Sequence, residues 1–264
     1  MPSTYVAADA RGYQRIMGRF SAGLAKSYLD FAGHPPGEKI LDVGCGTGSM
    51  SFALADRGDH DQILGIDVSE IFVDYAKVQN GDDRITFEVG DAASLRFVDG
   101  YFDRAVSQLV LQFMPDPYPA VKEMCRVVRP GGTVTACVWD SYGGLPHIRV
   151  IWDSASALGY DRERSLLRPL STQGELEAMW QRAGLTSIQE DIITTKFHYD
   201  DFEDYWSSFI HGDGPPTQML HGLDKAHREK LEHQVRHVFL SGKPDGPRSF
   251  FAVALICKGV VAGE

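Results

Sequence analysis

Cysteine is scarce in this sequence. The four present, Cys45, Cys125, Cys137 and Cys257, lie far apart, and no CxxC or Cys/His pair has the spacing of a zinc site. That excludes a disulfide framework, a zinc staple and the cysteine cluster that an iron–sulfur centre needs. Buried, reduced thiols in a cytoplasmic protein are the expected state. An excess of positive charge is also missing: 26 Lys and Arg stand against 36 Asp and Glu, a net charge of -10. No overall field gathers phosphates, so no nucleic-acid partner is expected. No apolar run approaches the roughly 20 residues that span a bilayer, so no membrane partner is expected either. The first residues lack the basic segment and apolar run of a signal peptide. Internal repeats and low-complexity tracts are absent as well.

What remains is 43% hydrophobic and long enough to bury a core unaided. From Lys39 onward, short apolar runs alternate with amphipathic stretches, the rhythm of a parallel sheet with helices on both faces. Strands are predicted over 40–43, 62–68, 85–89, 102–109 and 133–139. Helices are predicted over 49–57, from a cap at Ser69 to Val78, and over 119–128, the last stopped by Arg129-Pro130-Gly131-Gly132. Residues 141–170 show no clean period, 171–183 read as a helix capped by Ser171 or Thr172, and 185–196 and 250–258 read as strands. The Gly242–Pro247 stretch before the last strand signals a turn and not a crossover helix, so an antiparallel pairing is expected there.

The first strand runs into Gly44-Cys45-Gly46-Thr47-Gly48 and then directly into a helix. Such a turn lets a ligand approach the backbone and meet the helix's positive end, although a tight turn without a ligand has the same pattern. Asp67, closing the second strand, can accept both hydroxyls of a ribose. Asp91-Ala92, after the third, can accept from an adenine amino group, although Asp91 could equally be a helix cap. The G-x-G-x-x-G register of dinucleotide sites is absent. The three features together point to a nucleoside-containing ligand.

Leu41–Gly48, Gly65–Ser69, Val89–Ala92, Tyr101–Ser107 and Val127–Gly132 resemble, in order, the motifs of the class I S-adenosylmethionine (AdoMet)-dependent methyltransferases, in their small-molecule type 11 form. The resemblance implies a Rossmann-like α/β fold: a seven-stranded sheet with its last strand antiparallel, helices on both faces and a helical cap. The chain would be one domain. Within it, 1–36 would form N-terminal lid helices, 37–140 the cofactor half, 141–170 and 200–246 the cap, and 171–199 with 247–264 the rest of the sheet. The cofactor would be AdoMet and its product S-adenosylhomocysteine (AdoHcy). Asp42, Gly44, Cys45 and Gly46 would surround its amino-acid part, Asp67 and Val68 the ribose, Asp91 and Ala92 the adenine, and Gln108 and Leu109 the sulfonium. A segment around Met17-Gly18-Arg19-Phe20-Ser21 looks like a lid helix of one branch, with Tyr13 and Met17 over the cofactor and Arg19 near its carboxylate.

Methyl transfer is an in-line displacement at an already activated carbon, so alignment in a dry site is the main requirement. A general base is needed only if the acceptor loses a proton as it attacks. His147, His211 and Gln112 are the candidates, with His221 beside them; no metal is expected. The partner implied is a small-molecule methyl acceptor, and the chain would be a monomer or homodimer. An AdoMet-binding protein, or an AdoMet-using enzyme without methyl transfer, stays open as an alternative, as does a macromolecule methyltransferase.

Overall fold

The computed structural model describes residues 9–160, 169–212 and 214–263. The expectations for 1–8 in the lid, and for 161–168 and 213 in the cap segments, lie outside the described residues. No helix among the described residues is long and apolar enough to cross a membrane.

The chain begins with a short helix α1 (Ala10–Tyr13), capped by the Asp9 carboxylate, a π turn (Gln14–Gly18) and helix α2 (Arg19–Ala32). Then come β1 (Lys39–Val43), α3 (Ser49–Arg57), β2 (Gln62–Asp67), α4 (Glu70–Gln79), β3 (Ile85–Val89), β4 (Phe102–Gln108), α5 (Tyr118–Val127) and β5 (Val128–Trp139). The second half contains α6 (Pro146–Ala157), α7 (Glu175–Arg182), β6 (Leu185–Tyr199), α8 (Phe202–Ile210), α9 (Pro215–His221), α10 (Lys225–Leu240) and β7 (Arg248–Val261).

The seven strands form one sheet in the order β3-β2-β1-β4-β5-β7-β6. β1 to β5 pair in parallel, and β7 runs antiparallel to both β5 and β6. The antiparallel direction agrees with the sequence expectation but its reason does not. α8, α9 and α10 all lie between β6 and β7, and the turn after α10 leads the chain into β7 antiparallel to both neighbours. Apolar residues on one face of the sheet pack with α2, α3, α6 and α8 to α10, and those on the other face with α5 and α7. β6 is an edge strand, yet three of its backbone groups are engaged by side chains. The Ile192 N–H donates to Asp191, the Thr194 carbonyl accepts from Ser27 and the His198 carbonyl from Arg19. This leaves less backbone free for further strands to pair with.

Three boundaries differ from the sequence expectation. The Arg129-Pro130-Gly131-Gly132 stop lies inside β5, where it makes a register shift against β4, because Gly131 takes a left-handed φ of 78°. Residues 171–174 are not helical: Gly174 at φ 88° starts α7, and the Thr172 N–H donates to Glu175. The aperiodic stretch after 141 contains α6, because Pro146 opens that helix and does not break it.

Candidate cofactor site

The parallel strands carry their glycine turn and acidic residues to one end of the sheet. After β1 the chain turns sharply, with Gly44 at φ 74° and Gly46 at φ 52°, and the Gly44 and Cys45 N–H groups both donate to the Ile66 carbonyl. The two glycines are needed for different reasons. A Cβ on Gly44 would collide with Val110, whereas one on Gly46 would meet no protein atom within 4 Å. Gly44 is therefore required by packing, and Gly46 opens onto unfilled space.

Asp67 is half-buried and ties this turn to the next. One of its oxygens accepts from the Gly46 N–H (3.0 Å) and the other from the Ser69 N–H (2.8 Å). Burial raises its pKa above the usual carboxylate value, and these backbone bonds oppose the shift. Val68 beside it is exposed, as are Ile71 and Val89, so apolar surface flanks Asp67 at the open end. Asp91 lies exposed and accepts from the Ala93 N–H (2.9 Å), while Ala92 is buried.

Asp42 is 1% exposed at the end of β1. Its Oδ2 accepts from Ser51 Oγ on α3 at 2.6 Å; its Oδ1 is buried without a partner. Desolvation pushes the carboxyl up to about 7, with the nearby Asp67 adding to the rise and the Ser51 bond opposing it. Gln108 is a second case: its Nε2 donates to the Ser21 carbonyl (3.0 Å), and its Oε1 is buried and unmatched. Leu109 follows in a left-handed conformation, φ 63°, held by its N–H on the Cys137 carbonyl. That strain sits where β4 meets the open end, a common place for it at functional sites.

The N-terminal segment crosses this end of the sheet. Tyr13 lies with its ring 5.0 Å from that of Phe72 on α4, and Gln14 Nε2 donates to Thr47 Oγ1 in the glycine turn (2.7 Å). Met17 packs against the core of the same face, and α1 touches the start of the α8–α9 connection, where a Cβ on Gly12 would come 3.2 Å from the His211 carbonyl. A π turn in the middle of the crossing widens the helix there.

The family-model match covers residues 41–136 with a methyltransferase domain. The demethylmenaquinone methyltransferase of Clavibacter sepedonicus is 30% identical over 173 residues, 60% of this chain and 69% of that enzyme. The chain belongs to the class I AdoMet-dependent methyltransferases. Solved methyltransferases share the fold at lower identity. A chain from the Haloferax volcanii complex of a methyltransferase with the Trm112 activator superposes with a TM-score of 0.61 at 22% identity, over 94% of this chain and 92% of that one. A Haemonchus contortus N-methyltransferase, solved with phosphomonomethylethanolamine and AdoHcy, does so with a TM-score of 0.56 at 17% identity, over 90% of this chain and 52% of that one.

Within this methyltransferase, the structure brings Asp42, Gly44, Cys45, Gly46, Asp67, Val68, Gln108 and Leu109 to the carboxyl ends of β1, β2 and β4, with Asp91 and Ala92 just beyond β3. Arg19 is elsewhere. It pairs with Asp204 on α8 (2.9 Å) and lies over the Tyr199 ring of β6. Both contacts turn its guanidinium toward α8 and the edge strand β6, although Ser21, two residues on, meets Gln108 of β4. Arg19→Ala is expected to cost about 1 kcal/mol of stability or less, because the pair is partly solvated, and to leave AdoHcy affinity unchanged. Thermal melts and calorimetry check both.

His147 is also displaced from the expected role. It is fully buried on α6, stacked on Phe197 at 4.0 Å with Phe209 and Phe250 near, and both ring nitrogens lack partners. Burial pushes its pKa down to about 3. A ring held among aromatic side chains has no route to an acceptor's proton. Gln112 is occupied as well: its Oε1 accepts from the Trp139 N–H, joining the end of β5 to the turn after β4. His221 binds the Ile210 carbonyl, outside the glycine turn. Sequence reasoning missed Gln14, Ser21, Ser51 and Val110, which support the site through contacts that no motif encodes.

Proposed function

We propose that this methyltransferase transfers the methyl group of AdoMet to a small-molecule acceptor in the cytoplasm, with no nucleic-acid partner. The observation that carries the reading is the set of unfilled features at one end of the sheet. Gly46 faces open space, Asp67 is bonded to its amide, and Asp42 Oδ1 and Gln108 Oε1 are buried acceptors without donors. Buried polar atoms are seldom left unmatched, so these fit a ligand that brings donors, as the ammonium and ribose hydroxyls of AdoMet do.

Bound AdoMet supplies a methyl carbon already activated by its sulfonium. The protein's part is binding and alignment. Gly44 to Gly46 pass their backbone around the amino-acid end, with Asp42 below it. Asp67 exchanges its bonds to Gly46 and Ser69 for, or shares them with, the ribose hydroxyls. Val68 lies beside the ribose, and Asp91 with Ala92 takes the adenine. Gln108 and Leu109 line the reacting side, and Tyr13 and Met17 cover it. The N-terminal segment and α6, α8, α9 and α10 form the cap that excludes water. Arg19, expected near the cofactor's carboxylate, is paired with Asp204 instead. The Clavibacter relative, named for a demethylated quinone, agrees with an apolar ring as acceptor.

The test is incubation with AdoMet and a set of demethylated aromatic metabolites, with AdoHcy release and acceptor mass followed together. AdoHcy without a methylated product would overturn the acceptor assignment. Asp67→Ala removes a charged acceptor worth roughly 1.5 to 3 kcal/mol per bond, so AdoHcy should bind tenfold or more weakly by calorimetry.

A further inference from the structure

Asp42 presents a problem that the fold leaves unsolved. An ionised carboxylate enclosed in protein needs a countercharge or a full set of donors. Asp42 is met only by Ser51, through its hydroxyl and to a lesser degree its backbone N–H, and Oδ1 has no donor. The titratable groups that face it offer no cation. From β2 comes Asp67, itself a carboxylate; from the turn, the buried thiol of Cys45; from α2, the phenol of Tyr28. Two acids thus share one pocket and repel each other when ionised. Uncharged Asp42 removes both the repulsion and the desolvation penalty.

AdoMet carries two cationic groups, and only one has hydrogens to give. The sulfonium has no N–H, whereas the α-ammonium has three donors. Asp42 and Gln108 project from neighbouring strands, β1 and β4, on the face covered by α2 and α3, as their partners Ser51 and Ser21 indicate. Each offers one unmatched oxygen. Resting on the cofactor-site reading above, the geometry points to a proton exchange. Asp42 is protonated in the free protein and releases its proton to solvent when the ammonium of the bound cofactor comes against Oδ1. The balance is simple: a neutral carboxylic acid becomes a carboxylate paired with an ammonium, and one proton leaves. Cofactor binding is then proton-linked and weakens in acid.

The upward push of Asp42 to about 7 sets the window. Below it the free protein must give up a proton to bind, so affinity rises about tenfold per pH unit until it levels near neutrality. The AdoHcy carboxyl, at about 3.5, stays ionised from about pH 5.5 upward, and its α-amino group, at about 8 or above, stays largely protonated below about pH 7, so the slope is read between those two pH values.

The experiment is calorimetry of the full chain with AdoHcy at several pH values, each in buffers of different ionisation enthalpy. Release of about 0.9 proton per AdoHcy is expected near pH 6, falling to a small fraction above pH 8. Asp42→Asn, nearly isosteric, should abolish both the release and the pH slope. A second readout needs no variant: the infrared band of a protonated carboxylic acid should vanish when AdoHcy binds. Binding without proton release, or release undiminished in Asp42→Asn, overturns the proposal and leaves the cofactor site standing. No binding at any pH would instead remove the cofactor-site reading itself.

Discussion

Gly46→Val yields a folded protein that no longer binds AdoHcy. At this position an added side chain meets no protein atom within 4 Å, so nothing in the core must move. The backbone φ of 52° is strained for a β-branched residue, at a cost of roughly 1 to 2 kcal/mol, a small part of the stability of a domain this size. The space it occupies is the space the ligand's backbone contacts require. AdoHcy affinity should fall by well over tenfold, more than 1.4 kcal/mol, while the melting cooperativity is retained. Gly44→Ala is the contrasting case. Its Cβ would enter the side chain of Val110, so stability falls first and binding is lost with it. If Gly46→Val bound AdoHcy normally, the glycine turn would be structural only.

The second large effect is on acid stability, and its source is His147. In the folded chain burial holds the ring neutral down to about 3; unfolded, it takes a proton near pH 6.5. Between these values the unfolded state binds more protons, so this group's contribution is intact above pH 6.5 and is lost progressively towards pH 3. Asp42 acts in the opposite sense. Its folded carboxyl keeps a proton up to about 7 and its unfolded one loses it near 3.9, so acidification over that range favours the fold. The two partly cancel in the wild type. His147→Leu separates them. Replacing a ring whose two nitrogens lack partners by an apolar side chain of similar volume should stabilise the protein at pH 7, by about 1 kcal/mol. The difference from wild type should grow to about 3 kcal/mol more by pH 4. AdoHcy affinity should not change. Denaturant titrations at the two pH values decide the matter, and a difference that stays flat with pH would mean that His147 is not held neutral.

These two residues also mark how far sequence reasoning reaches. Gly46 was legible because a glycine turn between an apolar strand and a helix has local causes: positive φ, a helix N-terminus and an acidic residue after the next strand. Ser69 was legible for the same reason, since its hydroxyl accepts from the Phe72 N–H three residues on. His147 was not. It lies in the segment expected to cap the site, but whether a helix turns a residue towards a cleft or a core depends on what packs against it. Here Phe197 from β6 and Phe209 from α8 enclose it, and both lie at least 50 residues away in sequence.

The sequence alone determined the strand-to-helix turn at Gly44 to Gly48, the acidic residues closing β2 and following β3, and the antiparallel last strand. The turn and the acidic residues follow from backbone conformations that neighbouring residues impose. The last strand is antiparallel as expected, although the connection before it contains α8 to α10 and is not the helix-free turn on which that expectation rested. Only the tertiary structure decided which side chains support that turn and which do not. Packing paired Arg19 with Asp204 on α8 and sealed His147 among aromatic rings. The same assembly buried one oxygen of Asp42 without a donor. A contact between residues distant in sequence is set by strand order and by which face each helix covers, and no local pattern specifies either.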